Sequence, residues 1–145
     1  MKVCMIQFVK GSWFTGELKS SHLLAPNFRI IRAGKGFVGI LGDTKPLSQH
    51  MAAAKRALRT SEKIIASGLY DIVILDEINY ALSRKLIRVQ AVLGLIRRKP
   101  AHVCLVLTGR GAPRRIIDAA DLVTEMRKIK HPYDKGMTAR KGIDF

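Results

Sequence analysis

Asp71-Ile72-Val73-Ile74-Leu75-Asp76-Glu77 decides how the rest of the chain is read. Four apolar, mostly β-branched residues have the density of a strand buried on both faces, which is how parallel sheets read. The run ends on two adjacent carboxylates, at the point where such a strand would emerge from the core. A second apolar run, Val103-Cys104-Leu105-Val106-Leu107, closes in the same way on the polar triplet Thr108-Gly109-Arg110. Both endings point to one active edge.

Working outward, Val3-Cys4-Met5-Ile6-Gln7-Phe8-Val9 reads as a further buried strand and Phe28-Arg29-Ile30-Ile31 as a short one. A loop through Gly34, Gly36, Gly39 and Gly42 follows. Helical spacing then sets in, with Pro46 suited to the first turn, Met51, Ala54, Leu58 and Ile65 on one face, and Gly68 as the stop. A second helix is expected from about residue 84 to 97, with Leu86, Val89, Leu93 and Ile96 on its apolar face and Pro100 ending it. A short helix from about residue 113 to 120 leads to Leu122-Val123-Thr124-Glu125-Met126. The alternation of strands and helices predicts an α/β fold with a mostly parallel sheet, whose ligands bind beyond the carboxyl ends of the strands. Asp76, Glu77, Thr108 and Arg110 all fall there.

The chain has 145 residues, 48% of them hydrophobic, enough for one sizeable core and little more. Residues 1–145 are therefore expected to form one domain, with 127–145 as its basic tail. The 26 Lys and Arg against 11 Asp and Glu give a formal charge of +15, which attracts polyanions. Nucleoside triphosphate and nucleic acid both qualify, but aromatic residues are only 6% and the basic residues are dispersed, which argues against a nucleic-acid module. Cys4 and Cys104 lie inside apolar runs and are expected to be small buried hydrophobes. No apolar run approaches the ~18–20 residues that span a bilayer, and a cytoplasmic location fits.

An acidic pair closing an apolar strand is what a Walker B element looks like, one carboxylate holding Mg²⁺ and its neighbour orienting another ligand. The duller explanation is a helix cap: Asp76 at an N-cap would contribute about 0.5–2 kcal/mol with no chemistry. Arg110 suits phosphate because its planar fork donates two parallel hydrogen bonds; the competing description is a surface arginine in a turn. The phosphate-wrapping pattern G-x-x-x-x-G-K-[ST] does not occur in the 145 residues. Gly34-x-Gly36-x-x-Gly39 matches a dinucleotide fingerprint in form, but Gly42 and Pro46 prevent the immediate helix that fingerprint requires.

Taken together, several blocks carry a resemblance. They are Ile6-Gln7-Phe8-Val9-Lys10-Gly11-Ser12-Trp13 with Gly16-Glu17, Gly34-x-Gly36-Phe37, Leu75-Asp76-Glu77-Ile78-Asn79-Tyr80-Ala81-Leu82, Thr108-Gly109-Arg110-Gly111-Ala112-Pro113, Ala120-Asp121-Leu122-Val123-Thr124-Glu125-Met126, Lys130-His131-Pro132 and Lys141-Gly142-Ile143-Asp144-Phe145. In content and order they resemble the ATP:corrinoid adenosyltransferases of cobalamin biosynthesis and salvage.

The resemblance implies a P-loop-related fold that transfers the 5′-deoxyadenosyl group of ATP to the Co(I) centre of a corrinoid, cob(I)alamin or a precursor, without a protein acid or base. It assigns Asp76 and Glu77 to Mg²⁺, Arg110, Thr108 and Lys10 to ATP, and Phe37 and Trp13 to the corrinoid. A homodimer is compatible with it; a membrane partner is not expected.

Two departures from the family's pattern bear on competence. The family's first strand and phosphate loop would precede Met1, so the expectation is a truncated copy, with a non-catalytic binding relative or a loop supplied by another chain as alternatives. Loss of a central strand would leave two neighbouring edges exposed. Val38-Gly39 also stands where the family continues with threonine and tryptophan, removing apolar area worth about 2–3 kcal/mol if buried against the corrin.

Overall fold

The computed structural model describes residues 1–11, 16–39, 43–138 and 140. Four strands, β1 (Val3–Gln7), β2 (Phe28–Arg32), β3 (Ile72–Asp76) and β4 (Cys104–Leu107), form one sheet in the order β2-β1-β3-β4. All three pairings are parallel. The polar ends of the strands therefore collect at one edge of the sheet, as the alternating pattern predicts.

The sheet pairs without a gap. β1 lies between β2 and β3, aligning Gln7 with both Arg32 and Asp76, and β4 pairs directly with β3. The expectation of two exposed neighbouring edges is not met among these strands; the sheet's edges are β2 and β4.

Among the described residues, six helical segments accompany the strands. They are α1 (Gly16–Leu23), α2 (Leu47–Ala66), α3 (Ile78–Ser83), α4 (Val89–Arg98), α5 (Arg114–Ile117) and a 3-10 turn at Pro132–Lys135. Cys4, Ile6, Val73 and Leu75 are fully buried from the sheet, meeting Ala54, Ala57 and Ile65 of α2 and Val92 and Leu95 of α4. Each large aliphatic side chain buried in this way contributes about 1.5–3 kcal/mol. Among the described residues no helix is long and apolar enough to cross a membrane.

The helices depart from expectation in instructive ways. The helix expected from about residue 84 begins only at Val89: α3 ends at Ser83, and Lys85 between the two helices has φ +58°. A left-handed residue cannot continue a right-handed helix. Leu86 and Ile87 are nevertheless buried, so their apolar signal reports a packed turn. Pro46 sits at the N-cap of α2, one position before the first turn. The buried face of α2 is His50, Ala53, Ala54, Ala57, Leu58, Ser61 and Ile65, with Met51 only flanking it. The short helix α5 is four residues long, and residues 121–131 beyond it are exposed with no regular element.

Cys104 corrects a second expectation. Cys4 is buried in central β1, but Cys104 is exposed, because β4 is an edge strand whose alternate residues face outward. Burial also pushes the Cys4 thiol up from its ordinary range, further from the reactive thiolate. A maleimide or disulfide reagent is expected to modify Cys104 quickly in the native protein and Cys4 only on unfolding. Mass spectrometry of the labelled chain gives the answer; rapid modification of both sites would contradict the assigned sheet order.

Candidate functional site

The site begins with one threonine. The Thr108 hydroxyl accepts the Glu77 backbone N–H at 3.0 Å and donates to Asp76 Oδ1 at 2.9 Å. Its own amide donates to the Leu75 carbonyl at 3.2 Å, and its carbonyl accepts the Asn79 N–H at 3.1 Å. The end of β4 is thus stitched to the end of β3 and to the start of α3. Asp76, Glu77 and Thr108, read separately from two apolar runs, share one corner of the molecule.

Helix capping does not account for the acidic pair. Asp76 is still in the strand, Glu77 occupies the N-cap position of α3, and no side-chain cap hydrogen bond forms there. Glu77 instead has φ +61°, a left-handed conformation that costs a non-glycine residue about 1–3 kcal/mol and recurs at functional sites. Gly109 makes this possible. Its φ is +115°, and an added Cβ would lie 3.1 Å from Glu77 Cα, Glu77 Oε2 and the Tyr80 nitrogen.

Burial is the main influence that raises the Glu77 carboxyl above its ordinary range, and the neighbouring Asp76 charge raises it further. Arg110 and Lys10 pull it back down, which places both cations within electrostatic reach although Arg110 itself is exposed. A carboxyl raised in the folded state contributes stability that is present below its unfolded pKa and lost as pH rises through the folded value. In metal-free protein, Glu77→Gln is therefore expected to melt above wild type at neutral pH, with the difference shrinking as pH falls below the ordinary glutamate range. Thermal unfolding with a chelator at several pH values measures this; a difference that widens on acidification would reverse the sign.

The end of β1 completes the corner. Gln7 is 1% exposed, and its Nε2 donates to Glu17 Oε1 at 3.2 Å. A carboxylate accepts, so the amide nitrogen must face Glu17 and Oε1 is directed elsewhere, where it finds no partner among the described residues. Asn79 Oδ1 is likewise buried and unpartnered. Lys10 pairs with the same Glu17 carboxylate.

Asp76, Glu77 and the Thr108 hydroxyl make a hard-oxygen corner that fits Mg²⁺, and the orphaned Gln7 oxygen belongs to the neighbouring strand at the position in register with Asp76. Among the described residues no group of three or more His, Cys, Asp or Glu forms a complete cage. Mg²⁺ does not require one, because it commonly takes one or two carboxylates and fills its remaining positions with water and substrate phosphate.

Phe37 lies on the flank of this corner. The loop after β2 is anchored where the Ala33 and Gly34 amides donate to the Gln7 carbonyl at 3.0 and 3.1 Å, and the Gly36 amide to the Val9 carbonyl at 2.8 Å. The half-buried Phe37 ring packs edge to face on Tyr80, centroids 5.8 Å apart at 81°. The Tyr80 hydroxyl donates to the Val38 carbonyl at 3.2 Å. Trp13 lies outside the described residues.

A family model described as "ATP:corrinoid adenosyltransferase BtuR/CobO/CobP" matches residues 1–145. This chain belongs to the ATP:corrinoid adenosyltransferase family. The "Corrinoid adenosyltransferase CobA" of Salmonella typhimurium is 32% identical over 146 residues, covering 99% of this chain and 70% of that protein. The corrinoid adenosyltransferase of Pseudomonas aeruginosa is 35% identical over 145 residues, covering 100% and 70%, and that of Escherichia coli K12 31% over 147, covering 99% and 71%. The all-parallel sheet flanked by helices agrees with a P-loop-like adenosyltransferase fold.

At and around this corner, several residues carried no individual signal in the sequence. Asn79 was visible only as part of a resembling block. The pair formed by Asp43 and His50, whose Oδ1 and Nε2 are 3.2 Å apart, was not anticipated. His50 did carry a signal, since it falls on the apolar stripe of α2 with Ala54, Ala57, Ser61 and Ile65. His131 accepts the Tyr133 N–H with its own Nδ1 and lies exposed, as a surface loop histidine would.

Proposed function

We propose that this protein transfers the 5′-deoxyadenosyl group of ATP to the Co(I) centre of cob(I)alamin or a cobalamin precursor, in the cytoplasm and with 1–145 acting as one unit. The observation that carries the reading is the Thr108 hydroxyl bridging Glu77 and Asp76, because it puts both carboxylates and the Thr108-Gly109-Arg110 turn at one strand edge.

In the reaction a cobalt–carbon bond forms at C5′ as the C5′–O bond breaks, and triphosphate leaves with the electron pair. Cobalt is the nucleophile and belongs to the substrate. The protein's task is to hold C5′ open to it and to stabilise charge on the leaving group.

Asp76 and Glu77 would hold Mg²⁺, which would supply charge neutralisation for the triphosphate. Arg110 and Thr108 take nucleotide oxygens. Lys10 reaches phosphate by exchanging Glu17 for a phosphate oxygen. Phe37, held on Tyr80, presents an apolar ring to the corrinoid, and Trp13 is assigned to the same ligand.

A second reading, a corrinoid- or nucleotide-binding relative without turnover, is favoured by one observation: Val38-Gly39 stands where the resembling family continues with threonine and tryptophan. A single assay separates the two. Incubation with ATP, Mg²⁺ and a chemically reduced corrinoid is expected to yield the adenosylated product and free triphosphate. Corrinoid retention without product would establish the binding relative, and neither product nor retention would remove both.

A further inference from the structure

α3 is short, yet it touches both sides of the site. At its start the Asn79 amide is bound to the Thr108 carbonyl, and the Tyr80 nitrogen faces Gly109, where an added Cβ would lie 3.1 Å away. On its flank the Tyr80 hydroxyl and the Arg84 Nη2, the latter at 3.4 Å, both reach the Val38 carbonyl, while the Tyr80 ring meets Phe37. The other end of this described stretch is fastened separately. The Gly39 amide donates to Asp43 Oδ2 at 2.8 Å, and Asp43 in turn lies against the buried His50 of α2.

The two anchors differ in kind. His50 belongs to a 20-residue helix seated on the core, whereas Tyr80 rides on a six-residue helix whose first turn hangs from the acidic corner. A ligand that moved Glu77 or Thr108 would act on the Tyr80 anchor, which is bonded to them through the start of α3, and not directly on the His50 anchor. Phe37 lies two residues before Gly39, on the Tyr80 side.

We infer that Tyr80 is a positioning residue that couples occupancy of the strand-tip corner to the presentation of Phe37, so that nucleotide and corrinoid strengthen each other's binding through the Tyr80–Phe37 and Tyr80–Val38 contacts. The inference rests on the corrinoid role proposed for Phe37. The hydroxyl fixes the height of the loop through Val38, and the ring fixes the orientation of Phe37. By linkage, whatever factor ATP adds to corrinoid affinity, corrinoid must add to ATP affinity.

The test uses the intact chain and two titrations. Aquacobalamin binding is followed by visible absorbance with and without Mg²⁺ and ATP, and ATP binding by calorimetry with and without aquacobalamin. Wild type is expected to show the same enhancement, about tenfold, in both directions. Tyr80→Phe, which keeps the ring and loses the hydroxyl, is expected to retain about threefold, and Tyr80→Ala about onefold, with ATP affinity in the absence of corrinoid held within about twofold.

Undiminished enhancement in Tyr80→Ala overturns the inference, and so does an ATP affinity that falls in parallel without corrinoid, which marks a merely structural residue. Wild type that binds aquacobalamin with no enhancement overturns it while leaving the proposed function standing; wild type that binds no corrinoid at all removes the Phe37 reading and this inference with it. If circular dichroism shows Tyr80→Ala unfolded, Tyr80→Phe and Phe37→Leu decide, each expected to lower the enhancement and each overturning the inference if it does not.

Discussion

Asp76→Asn is expected to lower adenosyl transfer by at least about a hundredfold while leaving the protein folded. The substitution is nearly isosteric, and an amide oxygen can still accept the Thr108 hydroxyl that now bonds Asp76 Oδ1. The strand junction should survive, with a stability change of no more than about 1 kcal/mol. The negative charge is lost. If Asp76 helps hold the cation that neutralises triphosphate, that charge is what the reaction needs, and the deficit should shrink when Mg²⁺ is raised well above its usual concentration. Steady-state rates at two Mg²⁺ concentrations, together with a melting curve, separate the effects. Wild-type turnover in Asp76→Asn would remove the carboxylate from the site, and a collapsed melting temperature would show it to be a structural residue.

Gly34→Ala should produce the largest loss of stability. A Cβ at this position would lie 2.3 Å from the Val9 carbonyl carbon, 2.4 Å from its oxygen and 2.7 Å from the Phe8 oxygen. No rotamer adjustment relieves a clash with backbone, so the loop must lift away from β1. With it go the Gly34 amide bond to the Gln7 carbonyl and the Gly36 amide bond to the Val9 carbonyl. Overpacking and two lost hydrogen bonds together amount to about 3 kcal/mol, a fall of about 10 °C in melting temperature. Because Phe37 follows three residues later, corrinoid affinity should fall with stability. A melting temperature within about 2 °C of wild type would show that the loop does not rest on β1 as described.

The strands were the most legible part of the fold. Val73 and Leu75 lie in a β-branched run too apolar to face water, and Asp76-Glu77 marks its end without help from tertiary context. Parallel pairing then follows from the alternation with helices, and it brings the polar strand ends to one edge. The acidic pair and Thr108 were therefore found as candidates by reading two separate runs.

Backbone conformation at ordinary residues was not legible. Lys85 and Glu77 both adopt positive φ, and neither residue type announces it as a glycine would. At Lys85 this hid the turn that holds the start of α4 back to Val89; at Glu77 it hid the turn that separates the carboxylate from a simple cap. Strand position was hidden too, since a run such as Val103-Cys104-Leu105-Val106-Leu107 looks the same at the edge of a sheet as at its centre. The contact between Phe37 and Tyr80 spans 43 positions in the chain and has no local signature.

The proposed function requires the tips of β3 and β4 to grip a magnesium-chelated adenine nucleotide between them. A crystal structure of the protein with Mg²⁺ and ATP tests it most directly. Triphosphate is expected against the Thr108-Gly109-Arg110 turn, with the cation about 2.1 Å from an oxygen of Asp76 or Glu77 or joined to one through a single water. Triphosphate bound at any other part of the surface, with both carboxylates left in solvent, would contradict it.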